Sequence, residues 1–140
     1  MPIIYLALGS NLGERLEFIH KAVKELEISG VQVLKLSSVI ETDPVGGPSQ
    51  GKYLNAVLKA CTNHSPEELQ VITQGIERKL GRVKKIVNGP RVIDIDILLY
   101  GDIKLITSKL LIPHPRMLER SFVMKPLEEI DSILCASLRA

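Results

Sequence analysis

Residues 92–100 of this chain read Val-Ile-Asp-Ile-Asp-Ile-Leu-Leu-Tyr, a dense aliphatic run interrupted by two acids. Such a run is typical of a β-strand, in which successive side chains point to opposite faces. This period of two places Asp94, Asp96 and Leu98 on one face. The isoleucines and Leu99 then occupy the other face. The sequence therefore predicts a half-buried strand that carries two neighbouring carboxylates.

This strand is the last of six elements whose order predicts the fold class. The predicted order is a strand at 3–8, a helix from 11 to near 30, strands at 31–41 and 53–61, a helix from 66 to near 80, and the strand at 92–100. The order matches the ferredoxin-like βαββαβ plan, an α+β sandwich in which helices cover one face of a mostly antiparallel sheet. Beyond Gly101-Asp102, residues 104–106 are expected to form a hairpin with the last strand, followed by short C-terminal helices.

Capping signals and apolar spacing predict the two helices. Ser65, Pro66 and Glu68 combine an N-cap, a proline at the first helical position and a capping glutamate. Asn11 and Glu14 have the same capping-box spacing at the first helix. The apolar stripe of that helix comprises Leu12, Leu16, Ile19, Val23 and Leu26.

Composition and charge restrict the class of protein. The 140 residues are 45% hydrophobic and 24% charged, which is typical of one globular domain spanning 1–140. No apolar run approaches the roughly 20 residues of a membrane span. The N-terminus lacks the pattern of a secretory signal, so we expect a cytoplasmic protein with Cys61 and Cys135 as free thiols. We also expect a monomer. A net charge of +2 does not indicate nucleic-acid binding.

The two aspartates are the first candidates for chemistry. Adjacent carboxylates on a half-buried face repel each other and lose hydration unless a cation lies between them. Their hard oxygen atoms are ligands that suit Mg²⁺. A solvated edge strand is the alternative interpretation of the same pattern.

A basic segment precedes the aspartates and favours the metal-site interpretation. Six positive charges occur between residues 78 and 91 without an acid among them, namely Arg78, Lys79, Arg82, Lys84, Lys85 and Arg91. The turn signal Gly89-Pro90 leads Arg91 directly into the strand with the acids. Cations beside a metal-binding carboxylate pair are what a nucleoside triphosphate with Mg²⁺ requires, because phosphoryl transfer depends on positioning and charge neutralisation.

Two other segments have features of phosphate-binding sites. Residues 46–52 fit the spacing of a Walker A loop, but Tyr53 occupies the Ser/Thr position and a strand follows instead of a helix, so we reject this motif. His114 lies between Pro113 and Pro115, whose rings stiffen the backbone. It is a candidate hydrogen-bond donor to phosphate, and a packed loop histidine is the equal alternative.

The segment 88–98, Asn-Gly-Pro-Arg-Val-Ile-Asp-Ile-Asp-Ile-Leu, resembles the signature of the 6-hydroxymethyl-7,8-dihydropterin pyrophosphokinases of folate biosynthesis. Further blocks in that family's order and spacing lie at 7–13, 42–45, 53–56, 74–77, 81–83 and 113–115. The resemblance implies an enzyme that transfers the β,γ-diphosphoryl group of ATP to the hydroxymethyl oxygen of the pterin, giving the pterin diphosphate and AMP.

The resemblance also implies roles for individual residues. Asp94 and Asp96 would hold two Mg²⁺ ions, and Arg82 and Arg91 would be catalytic by neutralising the transferred phosphates. The implied ATP-binding residues are Gln74, Glu77, Arg82, Lys84, Arg91, Ile97, Lys109, Leu110, Leu111, His114 and Arg120. The implied pterin-binding residues are Thr42, Pro44, Val45, Tyr53, Asn55 and Phe122. The two aromatic rings would stack on the pterin, and the amide would read its edge. We also expect the loop 84–88 to close over the phosphates.

Two other classes of function share the predicted fold, so the fold alone does not determine function. An RNA-recognition module needs exposed aromatic residues on its central strands, whereas aromatic residues make up only 4% of this chain. A regulatory ligand-binding domain would account for the fold but not for a strand that joins Arg91 to two aspartates. The residues therefore favour an enzyme.

Overall fold

The computed structural model describes residues 1–43, 51–81 and 92–140. The strands are β1 (Ile3–Ser10), β2 (Val31–Leu36), β3 (Ile40–Thr42), β4 (Tyr53–Thr62), β5 (Asp94–Tyr100), β6 (Leu105–Ile106) and β7 (Leu111–Ile112). The helices are α1 (Arg15–Ile28), α2 (Pro66–Lys79), α3 (Ser121–Ile130) and α4 (Ser132–Arg139), with a 3₁₀ turn at Met117–Glu119. None of the helices in these ranges is long and apolar enough to cross a membrane.

The main sheet has the order β2-β4-β1-β5, and every pair in it is antiparallel. This is the ferredoxin-like order, so the predicted α+β class is confirmed. The strand predicted at 31–41 is instead two strands, since β2 and β3 both pair with β4. Ser37 lies between β2 and β3, and its hydroxyl accepts a hydrogen bond from the backbone N–H of Val57 at 2.9 Å. At this point a side-chain oxygen replaces the backbone oxygen that a continuous strand would offer to β4.

Both faces of the sheet are covered, which extends the prediction of helices on one face. α1 and α2 pack on the face that carries Ile4 and Leu6. α3 and α4 pack on the opposite face, over Tyr5, Val57 and Leu98. The central strands are apolar on both sides, so each side requires a covering layer.

α1 begins later than predicted, at Arg15. The predicted cap residue Asn11 instead donates a hydrogen bond from Nδ2 to the backbone oxygen of Gly51 at 3.1 Å. Leu12 and Leu16 are 43% and 48% exposed, so the first two residues of the predicted stripe lie outside the core. The amide of Asn11 therefore joins two distant segments of the chain instead of starting a helix.

α2 begins as the sequence predicts. The hydroxyl of Ser65 accepts from the backbone N–H of Glu68 at 3.1 Å, and the Glu68 carboxylate accepts from the Ser65 N–H at 2.8 Å. This reciprocal cap fixes where the helix starts and thus which residues face the sheet. Thr73 and Glu77 consequently lie on its buried side.

The alternation predicted for residues 92–100 fails near the end of β5. Leu6 of β1 lies opposite Ile97, while the preceding residue of β1 lies opposite Leu99. Leu98 is therefore the extra residue of a bulge, and Leu98 and Leu99 pack on the same face under α3 and α4. The prediction that Leu99 shares the face of the isoleucines is wrong, and the two aspartates precede the bulge and keep their common face.

The predicted hairpin has a different partner. Residues 104–106 do not pair with β5; instead Leu105 lies opposite Ile112 in the hairpin of β6 and β7. The chain then returns to β5, where the backbone N–H of His114 donates to the oxygen of Leu98 at 2.9 Å. This return forms a wall beside the two aspartates.

Candidate active site

A cleft of about 360 Å³ lies along β5, between α2 and the segment 107–115. Its lining includes most of the described residues that the resemblance assigns to ATP or metal: Gln74, Glu77, Asp94, Asp96, Ile97, Lys109, Leu110, Leu111 and His114. Residues that are far apart in the sequence therefore meet in one concave site, as a nucleotide pocket requires.

The carboxylate of Glu77 anchors β5 at the two acids. Its Oε2 accepts a hydrogen bond from the backbone N–H of Ile95 at 2.8 Å, and the side chain is only 5% exposed. A buried backbone N–H requires a partner, and a charged acceptor makes the stronger bond. Ile95 stands between Asp94 and Asp96, so this contact fixes the backbone from which both carboxylates project.

The turn between β6 and β7 forms the opposite wall of the cleft. The Nε2 of Gln70 donates to the backbone oxygen of Lys109 at 2.6 Å, which ties the turn to α2. Within the turn, the hydroxyl of Thr107 accepts from the backbone N–H of Leu110 at 2.9 Å. These bonds fix the wall against which a nucleotide base or ribose can rest.

Sequence reasoning missed several lining residues of the cleft, namely Gln70, Thr73, Thr107 and Ser108. On α2 a signal was available. Gln70 and Thr73 precede Gln74 and Glu77 at helical spacing, so all four lie on one side of α2, next to the apolar stripe that packs on the sheet. In the turn, nothing local distinguishes a lining residue from any exposed one.

His114 lines the cleft and is half-buried. Its Nδ1 accepts from the backbone N–H of Arg116 at 3.3 Å, which leaves Nε2 as the hydrogen-bond donor of the neutral ring. Burial lowers the pKa of His114, the positive charge of Arg120 lowers it further, and Asp94 opposes the shift. The ring is thus neutral near pH 7 and can donate one hydrogen bond to a phosphate oxygen.

A second group of polar and aromatic residues lies across the sheet face from the cleft. Asn55 of β4 is buried, and its Nδ2 donates to the hydroxyl of Thr42 on β3 at 2.6 Å. Tyr53 is two residues away on the same face of β4. Phe122 of α3 packs on the core of this face, and the guanidinium of Arg120 lies 5.5 Å from the centre of its ring.

Strand register connects this group to the cleft. Gly9 of β1 lies opposite Asn55 of β4 on one side and opposite Asp94 of β5 on the other. Residues opposite each other on neighbouring strands point to the same face, so the amide and the carboxylate share it, about 10 Å apart across two strand spacings. Ala7 occupies the next such position, opposite Asp96. Only small residues of β1 separate the acids from the amide.

Several residues implied by the resemblance lie outside the described ranges. They are Pro44, Val45, Arg82, Lys84 and Arg91, together with the loop 84–88. Their assignments remain predictions.

The aspartate pair fits the implied metal. Asp94 and Asp96 are partly exposed, share a face and line the cleft. Among residues 1–43, 51–81 and 92–140, no three His, Cys, Asp or Glu side chains are grouped as a site that could hold a metal alone. Mg²⁺ is commonly held by one or two carboxylates together with substrate phosphates, so this donor set suits an ion that arrives with a nucleotide.

Comparison with known proteins decides the family. The sequence model of the 7,8-dihydro-6-hydroxymethylpterin-pyrophosphokinases matches residues 5–132. The chain belongs to this family. The resemblance drawn from the sequence is thereby confirmed, and the chain is an ATP-dependent diphosphokinase of folate biosynthesis that acts on 6-hydroxymethyl-7,8-dihydropterin.

Relatives within this pyrophosphokinase family cover most of the chain. The 2-amino-4-hydroxy-6-hydroxymethyldihydropteridine pyrophosphokinase of Bacillus subtilis is 46% identical over 91% of this chain and 77% of its own length. The enzyme of the same name from Aquifex aeolicus is 44% identical over 94% of this chain and 81% of its own. The folic acid synthesis protein fol1 of Pneumocystis carinii is 48% identical over 94% of this chain, which spans only 18% of that longer protein.

Solved structures support the fold. The crystal structure of wild-type Plasmodium falciparum HPPK-DHPS with SDX-DHP superposes with a TM-score of 0.67 over 93% of this chain and 40% of that one. The two sequences are 16% identical, so the likeness concerns the fold alone.

Proposed function

We propose that the cleft along β5 binds MgATP, that Asp94 and Asp96 hold two Mg²⁺ ions, and that the pterin lies over β1 between Tyr53 and Phe122. The observation that carries this proposal is the row formed by Asn55, Gly9 and Asp94 across three strands. It places an amide that can read a heteroaromatic edge on the same face as the carboxylates beside the nucleotide cleft.

The two substrates would meet at this row in the geometry that transfer requires. ATP in the cleft directs its phosphates towards Asp94 and Asp96, and a flat acceptor over Gly9 directs its hydroxymethyl group to the same place. When bound, Mg²⁺ supplies neutralisation of phosphate charge and alignment of the phosphate oxygens. The attacking atom is the hydroxymethyl oxygen, the transferred unit is the β,γ-diphosphoryl group, and the leaving group is AMP.

Side chains of the cleft would bind the nucleotide directly. Nε2 of His114 is available as a donor to a phosphate oxygen. Ile97 and Leu110 supply apolar surface in the cleft for the base. Arg82 and Arg91, which lie outside the described residues, would neutralise the transferred phosphates.

We also propose one catalytic domain, working as a monomer in the cytoplasm. All described residues of both substrate regions belong to one sheet and the elements packed on it. Cys61 and Cys135 are buried free thiols, which suits a reducing compartment. Light scattering of the purified protein would measure a dimer mass if the monomer proposal were wrong.

Calorimetry with a non-hydrolysable ATP analogue tests the placement of the nucleotide and metal. We expect binding that requires Mg²⁺ and that weakens at least about tenfold in Asp94→Asn, about 1.4 kcal/mol. Asp102→Asn is the matched control, because Asp102 is an exposed aspartate in the turn after β5. Equal Mg²⁺-dependent affinity in the two variants would remove Asp94 from the proposed metal site.

A further inference from the structure

We propose that Gly9 determines whether the acceptor can bind, because its missing side chain leaves open the space in which a planar ring rests against Asn55. This inference rests on the proposed function and names a residue of the acceptor site that the sequence patterns did not reveal. It concerns the flat heteroaromatic substrate and not the nucleotide.

The backbone of Gly9 does not explain why a glycine is present. In the described ranges, the glycines with a positive φ are Gly13, Gly30, Gly81 and Gly101. Gly9 is instead a paired residue of the central strand β1, a conformation open to any residue. Glycine in a strand costs roughly 0.5–1 kcal/mol relative to alanine and often marks a place where a ligand approaches the backbone.

The space above Gly9 does explain it. A Cβ atom at this position would lie 3.3 Å from Oδ1 of Asn55 and 3.5 Å from Cδ2 of Tyr53. The first distance is tighter than an ordinary van der Waals contact, so the amide would have to move. Both contacted side chains belong to the proposed pterin site.

Asn55 has little freedom to move. Its Nδ2 donates to the hydroxyl of Thr42 at 2.6 Å, and the side chain is 6% exposed. A methyl group at position 9 would therefore strain that bond or turn the amide against which the ring rests. Either change would weaken binding of the acceptor, and neither would alter the cleft along β5.

Gly9→Ala tests the inference by separating acceptor binding from nucleotide binding and from folding. We expect the KM for 6-hydroxymethyl-7,8-dihydropterin to rise at least about tenfold, about 1.4 kcal/mol. Affinity for the MgATP analogue should stay within about twofold, a change of about 0.4 kcal/mol. The unfolding temperature should change little, because the gain from alanine in a strand offsets the strain at Asn55. A merely structural role for Gly9 would lower the unfolding temperature without a selective change in acceptor KM.

Gly75→Ala is the matched control. Gly75 lies in α2, and an added Cβ there meets nothing within 4 Å. This variant should keep the wild-type KM for both substrates. An equal acceptor KM in wild type, Gly75→Ala and Gly9→Ala would overturn the inference about Gly9.

A double-mutant cycle with Asn55→Ala tests the steric route. Because the methyl group acts on the Asn55 amide, Gly9→Ala should add little to the loss already caused by Asn55→Ala. If the losses of the two single variants add fully, the inference is contradicted. The double variant should fold, because Asn55→Ala removes the oxygen that the methyl group would crowd. An unfolded double variant would therefore also contradict the inference. If Asn55→Ala leaves the acceptor KM unchanged, the proposed pterin site itself fails; a raised acceptor KM in Asn55→Ala with an unchanged Gly9→Ala variant refutes only this inference.

Discussion

The Oε2 atom of Glu77 accepts a hydrogen bond from the backbone N–H of Ile95 at 2.8 Å, which fastens α2 to the strand between Asp94 and Asp96. Glu77→Ala would leave this buried N–H without its acceptor, at a cost of about 1–3 kcal/mol in stability. We expect kcat to fall about tenfold or more, because the carboxylates lose their fixed backbone. Steady-state kinetics and thermal unfolding measure the two effects.

Rescue separates positioning by Glu77 from a need for its charge. Glu77→Gln keeps an oxygen that can accept from Ile95, so it should retain most of the turnover. Glu67→Ala is the control, because Glu67 is an exposed glutamate in the first turn of the same helix. If Glu77→Ala and Glu67→Ala have the same kcat, Glu77 has no role in placing the acids.

The acceptor should bind measurably only after the nucleotide. In the proposed site, the phosphates and the cation of MgATP would complete the wall opposite Asn55. Calorimetry should therefore detect pterin binding with the MgATP analogue present and little without it. Asn55→Ala should weaken that binding by about 1–3 kcal/mol, because a polar edge of the pterin is left unpaired.

Asn63→Ala serves as the control for Asn55→Ala, since Asn63 is exposed in the turn after β4. Equal pterin affinity with and without the analogue would refute the coupling. An Asn55→Ala variant that binds like Asn63→Ala would move the acceptor elsewhere.

Gln70 should affect ATP binding more than catalysis. Its bond to the Lys109 oxygen holds the far wall of the cleft but touches none of the reacting groups. One such hydrogen bond contributes about 0.5–1.5 kcal/mol, so Gln70→Ala should raise the KM for ATP about two- to tenfold with kcat nearly unchanged. Val71→Ala, at a neighbouring residue that is 65% exposed, is the control. A loss confined to kcat would show that the wall does more than bind.

The features that the sequence predicted correctly are those that depend on residues close together in the chain. The period of two placed Asp94 and Asp96 on one face because strand geometry alone determines that relationship. The Ser65 capping box set the start of α2 and hence the face that carries Gln74 and Glu77. Family resemblance then selected residues of the cleft that no local pattern would join.

The remaining features depend on contacts between distant segments. Asn11 has a cap's spacing, but its amide is taken by Gly51, 40 residues away. The bulge at Leu98 follows from register with β1, which residues 92–100 do not encode by themselves. The proposed role of Gly9 depends on the pairing of both β4 and β5 with β1. Long-range pairing of this kind leaves no periodic signal in the sequence.

Asp131 should make stability depend on pH. Its carboxylate accepts from the hydroxyl of Tyr5 and from the backbone N–H of Leu134 at the start of α4, and these bonds lower its pKa. A lowered folded pKa stabilises the fold above the unfolded value, near 3.9. That contribution is lost as the pH falls through the lower folded pKa. Asp131→Ala should therefore cost about 1–2 kcal/mol at pH 7, and less in acid.

Urea unfolding at neutral and acidic pH measures this difference. Asp102→Ala is the control, because its side chain is exposed in a turn. If the difference between wild type and Asp131→Ala were as large below about pH 3 as at pH 7, the carboxylate would not be the source of the stabilisation.

The assay for AMP tests the central claim most directly: that transfer occurs at Asp94 and Asp96. Wild type and Asp102→Ala should form AMP from MgATP only when 6-hydroxymethyl-7,8-dihydropterin is supplied. Asp94→Ala and Asp96→Ala should remain folded and form AMP at less than about a tenth of the wild-type rate, a barrier increase above about 1.4 kcal/mol. A folded Asp94→Ala or Asp96→Ala variant that keeps more than about a tenth of wild-type AMP formation at saturating Mg²⁺ would contradict the account.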